Sequence, residues 1–454
     1  MEERNLTEGK ILSSLLRFAV PVFFALLLQA MYGAADLLIV GKFANAYEQS
    51  AVASGSQLLN MITMVVTGLT MGVTVFVGDA IGCGKSERAG RGIGAGILLF
   101  ALVALVLMAV LFPFSPVLAQ WMHTPKEAFD QTSAYIRICG FGGIFLVAYN
   151  VLGAIFRGMG DSKTPLFTVA VACVINIFGD YILVAHFGLG AAGAAIATVT
   201  AQAISVVLSF FLIRKKQFPF AFSFSYLSFR GGYVKRILWV GLPIGLQELL
   251  VQFSFLFIQV IVNGIGVMES AAVGVAEKVC MFLMLVSSAY MQSISAFVAQ
   301  NNGAGRKDRS KQALRYGIET AFCAGCGTGL LALVGGAQLA AIFSNEPMVV
   351  AEAYSYLKAY AIDCLLTAVL FCMIGYFNGS GKTLFVMMQG IVGAFFVRIP
   401  VVYAMSRLAD VSLFQIGLAT PISSVMQIVL CLLAYGFFQQ KERQQAGLGK
   451  KQGA

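Results

Sequence analysis

Charged residues are scarce in this sequence. Of its 454 residues only 11% are Asp, Glu, Lys or Arg, whereas a soluble chain carries roughly a quarter. Hydrophobic residues make up 59% of the chain, more than its polar residues could shield behind a water-facing surface. The composition therefore excludes soluble folds and predicts that most of the chain is solvated by lipid.

Histidine is nearly absent, and the cysteines show no pairing pattern. The two histidines, His123 and His186, lie near predicted loops and form no cluster. The nine cysteines are scattered singly through apolar stretches, which indicates small buried residues rather than a disulfide framework. Cys323 and Cys326 have the CxxC spacing but lie in an apolar helix without a second pair, so we interpret them as packing residues.

A complete phosphate-binding loop is missing as well. The segment from Asn378 to Thr383 resembles the end of a GxxxxGK[ST] loop, but Tyr376 occupies the position of its first glycine. The segment also ends an apolar helix, whereas a phosphate loop follows a strand. The sequence therefore predicts no ATP site, no cofactor and no enzymatic activity.

Long apolar runs dominate what is present. A membrane-spanning helix needs about 20 mostly apolar residues. The first ten residues are polar and do not resemble a cleavable signal peptide, so the first run is expected to remain as a span. We predict an all-α membrane protein with twelve transmembrane helices, at 14–40, 52–77, 93–114, 135–156, 165–185, 191–213, 237–262, 271–298, 313–342, 354–377, 384–405 and 414–438.

The basic residues that give the chain its net charge of +10 are distributed in step with the order of these spans. Most Lys and Arg residues lie in the N-terminal segment, in the even-numbered connections and in the C-terminal tail, all on one side of the membrane. Basic loops stay in the cytoplasm, so both termini are predicted to be cytoplasmic, in a protein of the cell inner (plasma) membrane. The basic excess is thus a topology signal, and no nucleic-acid partner is expected.

An internal repeat organises the chain. The segment from Phe76 to Arg88 recurs as Phe297 to Arg309, and the Phe156–Gly160 turn recurs at the same offset as Phe377–Gly381. Each half has an even number of spans, so the halves are expected to be related by a two-fold axis along the membrane normal, with a substrate cavity between them. The predicted division is an N-terminal six-helix lobe at 1–213, a cytoplasmic connection at 214–236, a C-terminal six-helix lobe at 237–440 and a cytoplasmic tail at 441–454.

Acidic residues within the N-terminal spans are the main candidates for function, because charge is costly in hydrocarbon. Asp36 is about 33 Å up the first helix and Asp180 about 24 Å up the fifth, both in the outer half of the bundle. Asn176 lies one turn before Asp180, Tyr32 one turn before Asp36, and Thr198 at a similar depth in the sixth helix. These oxygen donors suit a hard cation or a shared proton. A structural hydrogen-bond network explains the same spacing equally well.

Pro21 and the charged residues of the C-terminal spans are weaker evidence for function. Pro21 lies inside the first helix and removes one backbone hydrogen bond there, which allows either a moving hinge or a static kink. The C-terminal half carries Glu248, Asp363 and Arg398 within its spans. They are interpreted as a charge-balanced structural network, and a second titrating or substrate-contacting site is the alternative.

Together these residues resemble the multidrug and toxic compound extrusion (MATE) family, over essentially the whole chain. The resemblance is carried by Pro21 fifteen residues before Asp36, by Gly241-Leu242-Pro243 at the start of the second half, and by the segment from Asn176 to Asp180. Within the family the sequence is most similar to the DinF-like prokaryotic branch. The NorM-like branch places an acid at the position of Gln252.

The resemblance implies a cation-coupling site and a mode of transport. The implied site consists of Asp36, Asn176, Asp180 and Thr198, with Tyr32 beside it and the bend at Pro21. The expected function is multidrug efflux by antiport: amphipathic organic cations leave in exchange for Na⁺ or H⁺, through a monomer that needs no ATPase subunit. A lipid-linked oligosaccharide flippase of the same superfamily is one alternative, and a channel or receptor is a second, from a different class.

Overall fold

The computed structural model describes residues 6–215, 223–408 and 411–452. No β-strand occurs among these residues. The α-helices are α1 (Ile11–Phe43), α2 (Ala46–Gly82), α3 (Ser86–Trp121), α4 (Phe129–Phe141), α5 (Gly143–Gly158), α6 (Lys163–Asp180), α7 (Gly190–Lys215), α8 (Tyr233–Asn263), α9 (Val267–Leu283), α10 (Leu285–Gly303), α11 (Lys307–Ala341), α12 (Pro347–Gly379), α13 (Thr383–Ile391), α14 (Ile399–Met405), α15 (Leu413–Gly417) and α16 (Ala419–Gln452). Short 3₁₀ helices are Lys126–Ala128, Phe224–Tyr226 and Arg230–Gly232, and π-helical segments are Tyr181–His186 and Val392–Arg398.

Twelve spans are formed if each bent helix pair counts as one. Ten helical stretches of the described residues are individually long and apolar enough to cross a membrane. The other two spans are broken: α4 and α5 meet at 51°, and α9 and α10 meet at 41°. The all-α membrane fold is therefore as predicted.

The break between α4 and α5 has a local cause. Gly142 and Gly143 are adjacent there, and glycine weakens a helix interior. A Cβ added at Gly142 would overlap the side chain of Val199 on α7. The glycine thus lets α4 approach α7 closely while the chain changes direction.

The turns of the internal repeat have the same backbone conformation. Gly84 and Gly305 both have positive φ, 67° and 72°, at the ends of α2 and α10. Gly160 and Gly381 are likewise left-handed, with φ of 82° and 69°. Both pairs occupy matching positions of the repeat, so the offset read from the sequence corresponds to one backbone geometry that favours glycine.

The chain forms two compact units. The first consists of Met1–Leu249, Gln292–Ala313 and Asn378–Leu384. Its core includes Val73, Val77 and Phe76 on α2, packed with side chains of α3, α5 and α8. A Cβ at Gly72 would overlap the carbonyl oxygen of Ile237, so α2 and α8 touch backbone to backbone.

The second unit consists of Leu250–Met291, Leu314–Phe377 and Phe385–Ala454. Its core joins side chains of α8, α9, α11 and α12, among them the fully buried Ile258 and Leu357.

The first unit includes the predicted connection and three stretches of the predicted C-terminal lobe, at 237–249, 292–313 and 378–384. The division into 1–213, 214–236, 237–440 and 441–454 stays a prediction, and residues 1–5, 216–222, 409–410 and 453–454 lie outside the described part of the chain. Within the predicted tail, α16 continues without a break to Gln452.

Candidate functional site: a buried acidic cluster in the N-terminal half

Helices α1, α6 and α7 bring four of the predicted residues together. Asp36, Asn176 and Asp180 are at most 2% exposed, and Thr198 is 8% exposed. The Thr198 hydroxyl donates to Asp36 Oδ2 at 3.1 Å, and Asn176 Nδ2 donates to Thr198 Oγ1 at 3.3 Å. The Asp180 carboxyl lies against that of Asp36. Residues 162 positions apart in the chain thus form one cluster.

The backbone beside the cluster is irregular. α6 ends at Asp180, and the chain continues directly as the π-helical segment Tyr181–His186. A π turn inserts an extra residue into the helical repeat and frequently occurs at functional sites. The change of helix type therefore begins at the residue that supplies the second carboxylate.

The cluster is rich in hydrogen-bond acceptors. Among the described residues, no Lys or Arg forms an ion pair with Asp36 or Asp180. One Asp36 oxygen, both Asp180 oxygens and the Asn176 carbonyl oxygen are buried without a hydrogen-bond partner in that same part of the chain. A buried carboxylate without a partner is strongly unfavourable. The cluster is therefore suited to hold a proton or a small cation between its oxygens.

Tyr32 lies one turn from Asp36 and lines a small cavity beside the cluster. Its side chain faces Gln29 and Gln202. The centre of a water molecule can occupy a volume of about 10 Å³ in this cavity. The cavity therefore has room for roughly one water. Its walls are formed by Tyr32, Tyr149, Ala172, Asn176, Thr198, Ala201 and Gln202.

Sequence reasoning missed the two other polar residues of this wall, Gln202 and Tyr149. The signal for Gln202 was available, since it follows Thr198 by four positions and shares its helical face. Tyr149 lies on α5, which contributed no residue to the predicted cluster, so only the packing of α5 against the bundle reveals it.

Pro21 is buried within α1, which is an uninterrupted helix from Ile11 to Phe43. The predicted bend at this residue therefore stays a prediction about movement.

The three charged residues named for the C-terminal half do not lie in one unit. Glu248 belongs to the first unit, whereas Asp363 and Arg398 belong to the second. Arg398 ends the π-helical segment Val392–Arg398, donates to Ser254 Oγ at 3.3 Å, and lies 4.8 Å from the Phe255 ring centre.

Asp363 is fully buried and interacts electrostatically with Arg398. Glu277 on α9, which the predicted set does not include, also interacts with Arg398. The second unit thus contains a partly compensated charge network of one Arg and two acids.

Transition-metal chemistry finds no support in the described residues. No group of three or more His, Cys, Asp or Glu side chains could hold a metal ion there. The N-terminal cluster is of another kind, because two carboxylates, an amide and a hydroxyl suit a hard cation or a shared proton.

The twelve-span fold and its buried acidic cluster define the class of the protein, a polytopic α-helical membrane carrier. The chain belongs to the MatE family, whose model matches residues 21–182 and again 243–404. The first match starts at Pro21 and the second at Pro243, which is the counterpart of Pro21 in the second half. Members of this family are transporters, so the family and the absence of an enzymatic role are as predicted. Assignment to the DinF-like branch stays a prediction.

Relatives and solved structures agree with this assignment. The chain is 26% identical over 429 residues to the probable multidrug resistance protein YoeA of Bacillus subtilis, covering 93% of this chain and 92% of that protein. It is 24% identical to the probable multidrug resistance protein NorM of Thermotoga maritima, covering 90% and 88%. A crystal structure of MATE in complex with MaL6 superposes with a TM-score of 0.91 at 20% identity, covering 98% of this chain and 100% of that one.

Proposed function

We propose that this protein is a secondary active multidrug efflux antiporter, which exports amphipathic organic cations in exchange for Na⁺ or H⁺. The observation that carries the proposal is the buried pair Asp36 and Asp180, which lacks an ion-pair partner among the described residues. The relatives named as multidrug resistance proteins support the substrate class.

The acidic pair can couple two processes because its charge depends on what it binds. With a cation or a proton in place, the two carboxylates are at least partly neutralised and the pair is stable in a low-dielectric bundle. After release, two adjacent negative charges remain, and one of them must be neutralised again. The change of charge on α1 is the driving event in this proposal, and Pro21 is where α1 bends in response.

Each polar neighbour has a part in this scheme. Thr198 is hydrogen-bonded to Asp36 and to Asn176, and it orients the side-chain oxygens of these two residues toward a common ion. Tyr32 and Gln202 line the adjoining cavity, through which water replaces the coordinating groups as the ion leaves. The ion is coordinated only by oxygen, which Na⁺ prefers and a proton also accepts.

The cellular setting follows the same proposal. The protein works as a monomer in the inner membrane, with both termini in the cytoplasm, and needs neither an ATPase subunit nor a cofactor. Its partners are the lipid bilayer and small organic cations. The flippase alternative would need a basic cavity, but Arg398 is already engaged by Ser254, Phe255 and Asp363.

Efflux from reconstituted vesicles tests the proposal. A fluorescent organic cation is trapped inside, and a Na⁺ gradient or a proton gradient is imposed separately, each without ATP. Export driven by one of the two gradients in the parent protein, and lost in Asp36→Asn, is the expected result. Export that requires ATP, or that is indifferent to both gradients, would show the proposal to be wrong.

A further inference from the structure

The N-terminal segment that leads into α1 is held in place by the second half of the sequence. Residues 6–10 precede α1, and we refer to them as the strap. Leu6 and Thr7 are only 3% and 4% exposed, although they lie close to the chain terminus. The groups that hold the strap come from the end of α10 and the start of α11, within the same compact unit.

Arg309 makes the largest number of these contacts. Its Nη1 donates to the Gly9 carbonyl at 3.0 Å, and its Nη2 donates to the carbonyls of Glu8 at 3.1 Å and Leu6 at 3.4 Å. Its Nε donates to Asn301 Oδ1 at 3.1 Å, which orients the guanidinium. The planar fork of an arginine matches such a row of acceptors, whereas a lysine presents only a point charge.

Neighbouring side chains complete the grip on the strap. Arg306 donates to the Thr7 carbonyl. Gln300 accepts from the Leu6 amide at 3.3 Å, while its own Nε2 donates to the Gly158 carbonyl at the end of α5 at 2.8 Å. The bonds that Arg309, Arg306 and Gln300 make to the strap all reach its backbone. We refer to these three residues as the clamp, and the contact depends on them more than on the strap's side chains.

The internal repeat explains why Arg309 is available for this role. Its counterpart in the first copy of the repeat is Arg88, which forms an ion pair with Asp79 at 2.9 Å. The counterpart of Asp79 is Gln300, a neutral residue. In the first copy, the arginine is bound by an acid. The second copy has no acid at the matching position, and its arginine binds the carbonyl oxygens of the strap instead.

The clamp lies beside a tight backbone contact. A Cβ at Gly82 would overlap the Gln300 carbonyl oxygen, and a Cβ at Gly303 would overlap that of Asp79. Gly78 packs against Ala299 in the same contact. The ends of α2 and α10 are thus in direct contact at the side of the molecule predicted to face the cytoplasm.

We propose that Arg309 is a positioning residue for transport, and that the strap it clamps is a latch. The latch ties the start of α1, the helix that carries Asp36, to the contact between α2 and α10. The protein can open at this end only when the strap dissociates from the clamp. The strength of the clamp therefore determines how often α2 and α10 separate. This inference rests on the proposed transport function, but its first test does not require transport.

The test uses a single cysteine at the α2–α10 contact. Ala299→Cys is placed in a cysteine-less background, and its reaction with a soluble maleimide is followed in the absence of substrate and cation. Ala299 is 1% exposed, so labelling of the parent is expected to be slow. Adding Arg309→Ala removes the three charge-assisted bonds to the strap and should raise the labelling rate by about fivefold or more. Arg309→Lys should give an intermediate rate.

Arg315→Ala is the matched control. Arg315 lies on the same helix with an 81% exposed side chain, and among the described residues its ion pair is with Glu319 one turn away. Its substitution therefore removes the same charge without changing a contact to the strap. Equal labelling in Arg309→Ala and the control, whether slow or fast, would overturn the latch.

A second measurement keeps the inference testable if Arg309→Ala fails to insert. Leu6→Cys and Asn301→Cys are joined by a short bifunctional maleimide. The tethered protein should keep its Na⁺ or H⁺ binding, with maximal efflux reduced about tenfold and an unchanged KM for substrate. Undiminished efflux from the tethered protein would refute the latch, whereas efflux insensitive to any gradient in the untethered parent would refute the proposed function instead.

Discussion

Removing either carboxylate of the acidic pair should disable coupling as completely as removing both. Asp36→Asn and Asp180→Asn replace each acid with a neutral group of similar shape. Both side chains are at most 2% exposed, so the substitution changes charge in a site without bulk water. We expect each variant to remain folded and inserted, because a neutral amide is less costly to bury than a carboxylate.

The magnitude follows from the contact between the two carboxyls. Unit charges about 4 Å apart interact by ~4 kcal/mol at an effective dielectric constant of about 20. A cation held between the pair gains a comparable amount from each carboxylate, so loss of one should weaken cation binding by up to about three orders of magnitude. The two effects are not independent, and the double variant should be little worse than either single one.

A double-mutant cycle measures this directly. Na⁺ binding and gradient-driven efflux are determined for the parent, both single variants and the double variant, at equal reconstituted amounts. Asp130→Asn serves as the control, because Asp130 is an acid of the same half on the exposed surface. Additive, partial losses, or a normal cation dependence in either single variant, would reduce the pair to structural hydrogen-bonding groups.

Three further predictions concern the surroundings of the site and the topology. Thr198→Val removes the hydroxyl that joins Asp36 to Asn176 and should weaken cation binding about tenfold, whereas Thr198→Ser should restore it; equal binding in the two variants would contradict the orienting role. Glu248→Gln and Asp363→Asn should each impair efflux less than Asp36→Asn does, and a comparable loss at equal expression would move coupling to the C-terminal half. Cys83, exposed at the turn after α2, should react with an impermeant maleimide only from the cytoplasmic side; labelling in intact cells would invert the topology.

The fold was largely predictable because the bilayer imposes a simple rule on sequence. Backbone polar groups have no water to bond in hydrocarbon, so each apolar run of sufficient length must be helical. This rule locates all twelve spans. The rule does not predict the breaks at Gly142 and Met284 or the π-helical segments. Hydropathy measures how apolar a stretch is, and it contains no information on the pattern of backbone hydrogen bonds.

The candidate site was predictable in part. Periodicity places Asn176 with Asp180 and Tyr32 with Asp36, because residues four apart share a helical face. Gln202 could have been found by the same rule. Tyr149 could not, since it joins the cluster through the packing of a helix that supplies no other residue to it. Glu277 is recognisable as an acid within a predicted span, but its interaction with Arg398 depends on packing between helices that are distant in the chain.

The sequence alone determined the solvent, the span count, the repeat and the identity of the buried acids, since these depend on composition and on spacing within one helix. The tertiary structure decided which of those acids meet. In the folded chain Asp36 contacts Thr198, which lies 162 residues away in the sequence. Glu248 and Asp363 belong to different compact units. Arg309 binds the strap. The physical reason is that a costly buried charge must find its partner in space, and helix packing, which no local pattern encodes, determines which partner is within reach.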